Sequence, residues 1–154
     1  MDRKERRPLL IIEDSDEDFA ALKRAIVKTQ NTLPIYRCED GDEALDFLYR
    51  EGEYKDATLS PRPSLIILDL NLPGTDGREV LAEVKQDREL KTIPIVIFST
   101  SSNPRDITAC YGQGVSGYMV KPMNNKHFTQ LVQTFLDYWF KVVEIPVPPN
   151  SLNN

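Results

Sequence analysis

The run Leu65-Ile66-Ile67-Leu68-Asp69, followed closely by Pro73-Gly74, constrains this chain more than any other segment. An unbroken aliphatic run with no polar alternation reads as a strand buried on both faces. Pro73 and Gly74 mark a turn directly after it. Such a strand belongs in a parallel sheet with helices on both sides, where functional groups gather beyond the carboxyl ends of the strands. Asp69 stands at that end. Taken by itself it serves equally well as a turn-capping residue.

Other strand ends carry similar groups. Leu9-Leu10-Ile11-Ile12 runs into Glu13-Asp14-Ser15-Asp16. Ile95-Val96-Ile97-Phe98 ends in the hydroxyls Ser99 and Thr100, and Gly117-Tyr118-Met119-Val120 ends in Lys121-Pro122. A shared rim would therefore hold acids, hydroxyls and one lysine. Carboxylates are hard oxygen ligands for a divalent cation such as Mg²⁺. A lysine and a hydroxyl beside that cation can hold an anion. Together these are the parts of phosphoryl transfer, in which positioning and charge neutralisation dominate.

Strands alternate with amphipathic segments. Helical spacing appears over Asp16 to Thr29, with Phe19, Leu22, Ala25 and Ile26 inward, and again over Asp42 to Tyr49 and Arg78 to Gln86. Asn103-Pro104 is a helix start, N-cap then proline, and Gly114 ends that helix. A last helix starts near Asn124 and continues into Val143. With a second strand over Leu33 to Cys38, a fourth over Ile93 to Phe98 and a fifth over Ser116 to Val120, the pattern is an α/β layered fold of five strands and five helices. The Glu51 to Pro63 connection is long against the roughly 4–6 residues usual for such links and reads as a tolerated insertion, with a partner-binding excursion as the alternative.

The last helix carries more apolar surface than one face needs. Phe128, Leu131, Val132, Phe135, Leu136 and Trp139 form one stripe. Tyr138, Phe140, Val142 and Val143 add to it, ahead of the proline-containing tail. An apolar second side must be buried against something. A two-fold contact between copies through Tyr138, Trp139, Phe140, Val142 and Val143 is the reading preferred here. The alternative is that the tail folds back over the patch within one chain.

The 154 residues fit one domain, and an apolar fraction of 40% suffices for its core. An N-terminal arm over 1–7, a domain over 8–143 and an extension over 144–154 are expected. No stretch approaches the roughly 18 apolar residues of a membrane span, and no apolar signal region follows the charged N-terminus. Cys38 and Cys110 lack metal-ligand spacing and read as reduced, buried residues. These features point to a cytoplasmic protein. The formal charge of −5 weighs against nucleic-acid binding. His127, the one histidine, reads as a surface residue.

Taken in order, these motifs resemble the receiver domain of two-component response regulators. Glu13-Asp14 is similar to the family's acidic pair, and Asp69-Leu70-Asn71-Leu72-Pro73 with Asp76-Gly77 to the segment around its phosphorylated aspartate. Ser99 stands where the family has Thr or Ser, Tyr118 at its switch aromatic, and Lys121-Pro122 at its lysine-proline pair. The long connection before the third strand, the segment DLNLPGTDGREVLAEVK and the aromatic C-terminal extension resemble the cyanobacterial phytochrome-associated members.

The resemblance implies a doubly wound parallel sheet of strand order 2-1-3-4-5. It implies a phosphoacceptor at Asp69, assisted by Ser99 and Lys121, with Ser99 and Tyr118 as the switch. It implies Mg²⁺ held by Glu13, Asp14, Asp69 and the Asn71 carbonyl. The donor would be a histidine kinase, of phytochrome type by the closer resemblance. The output would be a protein-interaction surface or a downstream phosphotransfer protein, and the chain would be no enzyme beyond its own phosphorylation and hydrolysis. The family's cis bond before the proline would fix the direction of the ammonium. Ser99 for the commoner threonine keeps the hydroxyl.

Three rival readings stand beside this one. A haloacid-dehalogenase-type phosphatase needs a general acid two residues after its nucleophile, and that place holds Asn71. A flavodoxin-like FMN binder needs a phosphate loop after the first strand, where Glu13-Asp14-Ser15-Asp16 would repel the phosphate. A non-phosphorylated module on the same fold would have lost Asp69, Asp14 or Lys121.

Overall fold

The computed structural model describes residues 7–28 and 33–147. The elements in chain order are β1 (Leu9–Ile12), α1 (Asp16–Lys28), β2 (Ile35–Cys38), α2 (Gly41–Tyr49), β3 (Leu65–Leu68), α3 (Gly77–Gln86), β4 (Ile95–Ser99), α4 (Pro104–Gly112), β5 (Gly117–Val120) and α5 (Asn125–Asp137). A 3₁₀ turn, Gly52–Tyr54, lies in the connection after α2, and a π-helical turn, Tyr138–Val142, follows α5 directly.

The strands form one parallel sheet in the order β2-β1-β3-β4-β5, as the resemblance implies. The chain first steps outward from β1 to β2, then returns past β1 to build the other half. Parallel crossovers of one hand then place helices on opposite faces. Strand alternation matches this division. Leu10, Ile12, Ile66, Leu68, Ile95 and Ile97 face α2 and α3, where they meet Phe47, Leu48, Val80, Leu81 and Val84. Leu9, Ile11, Leu65, Ile67, Val96 and Phe98 face α1 and α5, where they meet Leu22, Ile26, Phe128, Val132 and Phe135. Both faces of β1, β3 and β4 are thus buried, which is why those segments are aliphatic throughout.

Two strands start later than their apolar patterns suggest. Pro34 and Pro94 have no N–H and stand just outside β2 and β4, each offering only its carbonyl: Leu9 N–H donates to Pro34 at 2.9 Å, Ile66 N–H to Pro94 at 3.0 Å. Helix starts follow side-chain caps. Asp40 caps α2, Asp76 caps α3, Asn103 with Pro104 caps α4, and Asn124 caps α5. Gly114, at φ +97°, closes the α4 turn as expected. The expected cis bond before Pro122 is not found, because no peptide bond of the described residues is cis.

The connection after α2 is built into the domain. Tyr54 packs edge-on against Phe47, with ring centroids 5.1 Å apart, and donates to Glu43 at 3.0 Å. Arg62 reaches the Leu48 carbonyl and pairs with Glu89 at 3.7 Å. The tolerated-insertion reading is compatible with this, with the addition that the insertion packs on α2.

The C-terminal face is partly closed within the chain. Trp139 and Phe140 pack against the α1–α5 core and are half-buried, and Ile145 of the tail is buried. Tyr138 and Val142 remain exposed, at 50% and 70%. Residues 1–6 of the arm and 148–154 of the extension lie outside the described residues, as does Thr29.

Candidate functional site

The carboxyl ends of β1, β3, β4 and β5 meet at one rim. In-register pairing carries Ile12 beside Leu68, Leu68 beside Ile97 and Ser99 beside Val120. The residues that follow are Glu13, Asp69 and Lys121. Asp69 N–H donates to the Ile12 carbonyl at 3.0 Å, so the Asp69 backbone is still tied to the sheet where its side chain leaves it. The loop beyond closes on itself: Gly77 N–H donates to Leu70 O at 2.9 Å, and a Cβ at Gly77 would meet Asp69 O at 2.2 Å. Gly41 plays the same part from the neighbouring turn, since a Cβ there would meet Thr75 O at 1.8 Å.

Glu13, Asp14 and Asp69 each offer a carboxylate oxygen within 4.8 Å of the others. Three hard oxygen donors so placed, with Asp14 open to solvent, fit a divalent cation. Glu13 and Asp69 are buried, at 2% and 6% exposure. Lys121 Nζ lies 2.8 Å from Glu13, 2.8 Å from Asp18 and 3.2 Å from Asp69, while resting 5.6 Å from the Phe98 ring centroid. Burial pushes the Glu13 carboxyl up to about 8, Lys121 pulling it down and the Asp69 charge adding to the rise. Burial works against the Lys121 ammonium, but bonds to Asp18 and Glu13 and the charges of Glu13 and Asp69 outweigh it and hold its pKa above the ordinary value.

Ser99 is fully buried, and its Oγ accepts from Ser101 N–H at 3.2 Å. Tyr118 is half-buried, and its hydroxyl donates to the Ser101 carbonyl at 2.9 Å. Ser101 Oγ donates to Asp106 at 2.6 Å, and Asp106 accepts from Arg78 Nη2 at 3.0 Å. Asn71 is exposed, and its N–H donates to Asp69 Oδ1 at 3.4 Å. His127 is exposed at the start of α5, and both cysteines are free and buried.

The sequence reading thus named the groups at the strand ends and missed those reaching in from elsewhere. Asp18 stands in the first turn of α1 among Asp16 and Glu17, and no local pattern separates it from them. Arg37 of β2 is the other. It donates to the Glu13 carbonyl at 3.1 Å, pairs with Asp16 at 2.8 Å and lies over the Phe19 ring at 4.6 Å, which braces the acidic loop. Its place on an edge strand beside β1 was the available signal.

No helix of the described residues is long and apolar enough to cross a membrane. The family model for the response regulator receiver domain matches residues 9–133. Response regulator Rcp1 of Synechocystis sp. is 44% identical over 138 residues, which span 90% of this chain and 92% of Rcp1. Two solved structures are similar over 92% of this chain and 99% of their own. They are the Mn(2+)-bound form of Rcp1, with a TM-score of 0.86 at 40% identity, and the phosphorylated cyanobacterial phytochrome response regulator RcpA, with 0.87 at 38%. With the acidic cluster, the strand-end aspartate and the lysine found at one rim of a 2-1-3-4-5 sheet, the chain belongs to the response regulator receiver family.

Proposed function

We propose that this response regulator accepts a phosphoryl group on Asp69 from a phosphohistidine of a phytochrome-type histidine kinase. The observation that carries the reading is the buried Asp69 carboxylate, set between an acidic cluster and the Lys121 ammonium. A carboxylate oxygen of Asp69 attacks phosphorus. The new O–P bond forms as the N–P bond breaks, and its electron pair stays on the imidazole nitrogen of the donor. The product is an acyl phosphate, which water later cleaves to return the carboxylate.

Asp14 and Asp69 would hold Mg²⁺ directly, Glu13 through water and Asn71 by its carbonyl, and the ion would neutralise charge on the transferring oxygens. Lys121 pairs with a phosphoryl oxygen. Ser99 donates its hydroxyl to another, and its movement opens space for Tyr118 to turn inward. These changes bias the surface of α4, β5 and α5, where Tyr111, Val120 and Met123 are exposed apolar residues ready for a protein partner or a downstream phosphotransfer protein. Phytochrome signalling is favoured by the likeness to the phosphorylated phytochrome regulator RcpA. The receiver unit is taken as 8–143, flanked by the arm and the extension, with a cytoplasmic place of work. Exposed Tyr138 and Val142, with the outer edges of Trp139, Phe140 and Val143, form the surface for a homodimer.

Acetyl phosphate with Mg²⁺, followed by intact mass measurement, tests the assignment. The unmodified chain gains one phosphoryl mass and Asp69→Asn gains none. Equal labelling of the two chains overturns it.

A further inference from the structure

Building on the phosphoacceptor reading, we infer that Asp18 is a positioning residue that parks Lys121 in the resting state and competes with the phosphoryl group for its ammonium.

An ammonium has three donors, and Lys121 spends all three on carboxyl oxygens: Glu13 and Asp18 at 2.8 Å and Asp69 at 3.2 Å. The longest contact goes to the acceptor. A phosphoryl group on Asp69 places its oxygens two bonds beyond the carboxylate oxygen and brings about −1.5 to −2 charges. Nζ must shift to meet it, and the two shorter contacts resist the shift.

Those two contacts differ in how easily they break. The Glu13 side chain is 2% exposed, so losing the ammonium would leave a buried carboxyl group without its hydrogen-bond partner. The Asp18 side chain is 32% exposed, so water replaces the ammonium there. Asp18 is also outside the group of acids placed to share a cation, which contains Glu13, Asp14 and Asp69. Cation binding therefore does not satisfy Asp18, and Lys121 is its partner at the rim. The backbone holds it in place, since its N–H donates to Ser15 Oγ at 3.2 Å in the first turn of α1. Asp18 is thus the partner that Lys121 gives up. Its negative charge acts on the phosphoryl group through that ammonium.

Removing that charge should strengthen phosphoryl binding without touching the cation. The probe is beryllofluoride, a non-covalent mimic of a bound phosphoryl group, titrated in saturating Mg²⁺ and read by thermal shift. Asp18→Asn should raise beryllofluoride affinity roughly threefold to tenfold and speed uptake from acetyl phosphate in the same direction. Asp18→Glu, which keeps the charge within reach, should restore the resting values. The Mg²⁺ affinity measured alone should stay unchanged in Asp18→Asn, and in a Lys121→Met background the substitution should have no effect on beryllofluoride. Asp18→Ser serves as the second uncharged variant if Asp18→Asn folds poorly. Affinity equal to or below that of the unmodified chain in the uncharged variants overturns the inference while leaving Asp69 as acceptor. An unmodified chain that takes up no phosphoryl mass takes down both.

Discussion

Glu13 shows how a single residue can be legible in kind and opaque in state. Its place at the end of β1 is readable from Leu9-Leu10-Ile11-Ile12, and so are Asp69, Ser99 and Lys121 from their own strands. What the sequence does not carry is that Glu13 sits at 2% exposure under Lys121, or that Asp18 and Arg37 reach the rim from α1 and β2. Those contacts depend on side chains crossing between elements, for which no local periodicity exists. Its state has a consequence for stability. In the folded chain the Glu13 carboxyl keeps its proton up to about 8, against an ordinary 4.5. Between those values the folded chain binds a proton that the unfolded chain has lost, so Glu13 favours folding fully below 4.5 and loses that contribution as pH rises through about 8. Without divalent cation, the thermal midpoint should fall across that interval. Glu13→Gln should flatten the fall, and saturating Mg²⁺, which favours the charged form, should reduce it. A cation-free midpoint that rises over the same interval in parallel for both chains would count against the buried, protonated Glu13.

Among the elements, the β4–α4 loop is the one held from several sides. Ser101 bonds to Ser99 through its N–H, to Tyr118 through its carbonyl and to Asp106 through its hydroxyl. Asp106 in turn accepts from Arg78 of α3, and these bonds hold its pKa below the ordinary carboxylate range. The hydroxyl expected to sense the phosphoryl group is thereby connected to α3, α4 and β5 in the resting state. Arg78→Ala should speed hydrogen exchange in residues 101–106 roughly threefold, the effect of losing a partly exposed ion pair, and leave amides of β1 and β3 unchanged. Uniform acceleration across the sheet would mean general destabilisation and not a loop restraint. Element order and type were readable because strands buried on both faces differ in pattern from one-sided helices. The π-helical turn after α5 was not, since Tyr138–Val142 continues a helical composition, and its Trp139 and Phe140 pack on the core.

At the scale of the whole molecule, the tail decides how much surface is left for a second copy. The apolar composition beyond Asp137 called for burial, and the structure divides it: Ile145 buried, Trp139 and Phe140 packed on the α1–α5 core, Tyr138 and Val142 exposed. Composition could state the amount of apolar surface but not that division, which needs the path of the chain after Val143. For the proposed homodimer, the informative changes are at the exposed pair, because Phe140→Asp would also disturb the core. Sedimentation equilibrium at micromolar concentration should show a dimer for the unmodified chain. Tyr138→Asp with Val142→Asp should shift it toward monomer, with a thermal midpoint within a few degrees of the unmodified chain at equal monomer fraction. A folded monomer for the unmodified chain would remove the dimer.

The close approaches at Gly41 and Gly77 bear on how such a chain can vary. Neither has positive φ, so both are glycine for lack of room and not for backbone freedom. One abuts the Thr75 carbonyl and the other the Asp69 carbonyl. The turn before α2, far away in sequence, is thereby packed without a gap against the turn before α3, and that turn against Asp69. A side chain gained at position 41 displaces the Thr75 backbone, and one gained at position 77 displaces the backbone of Asp69 and Leu70.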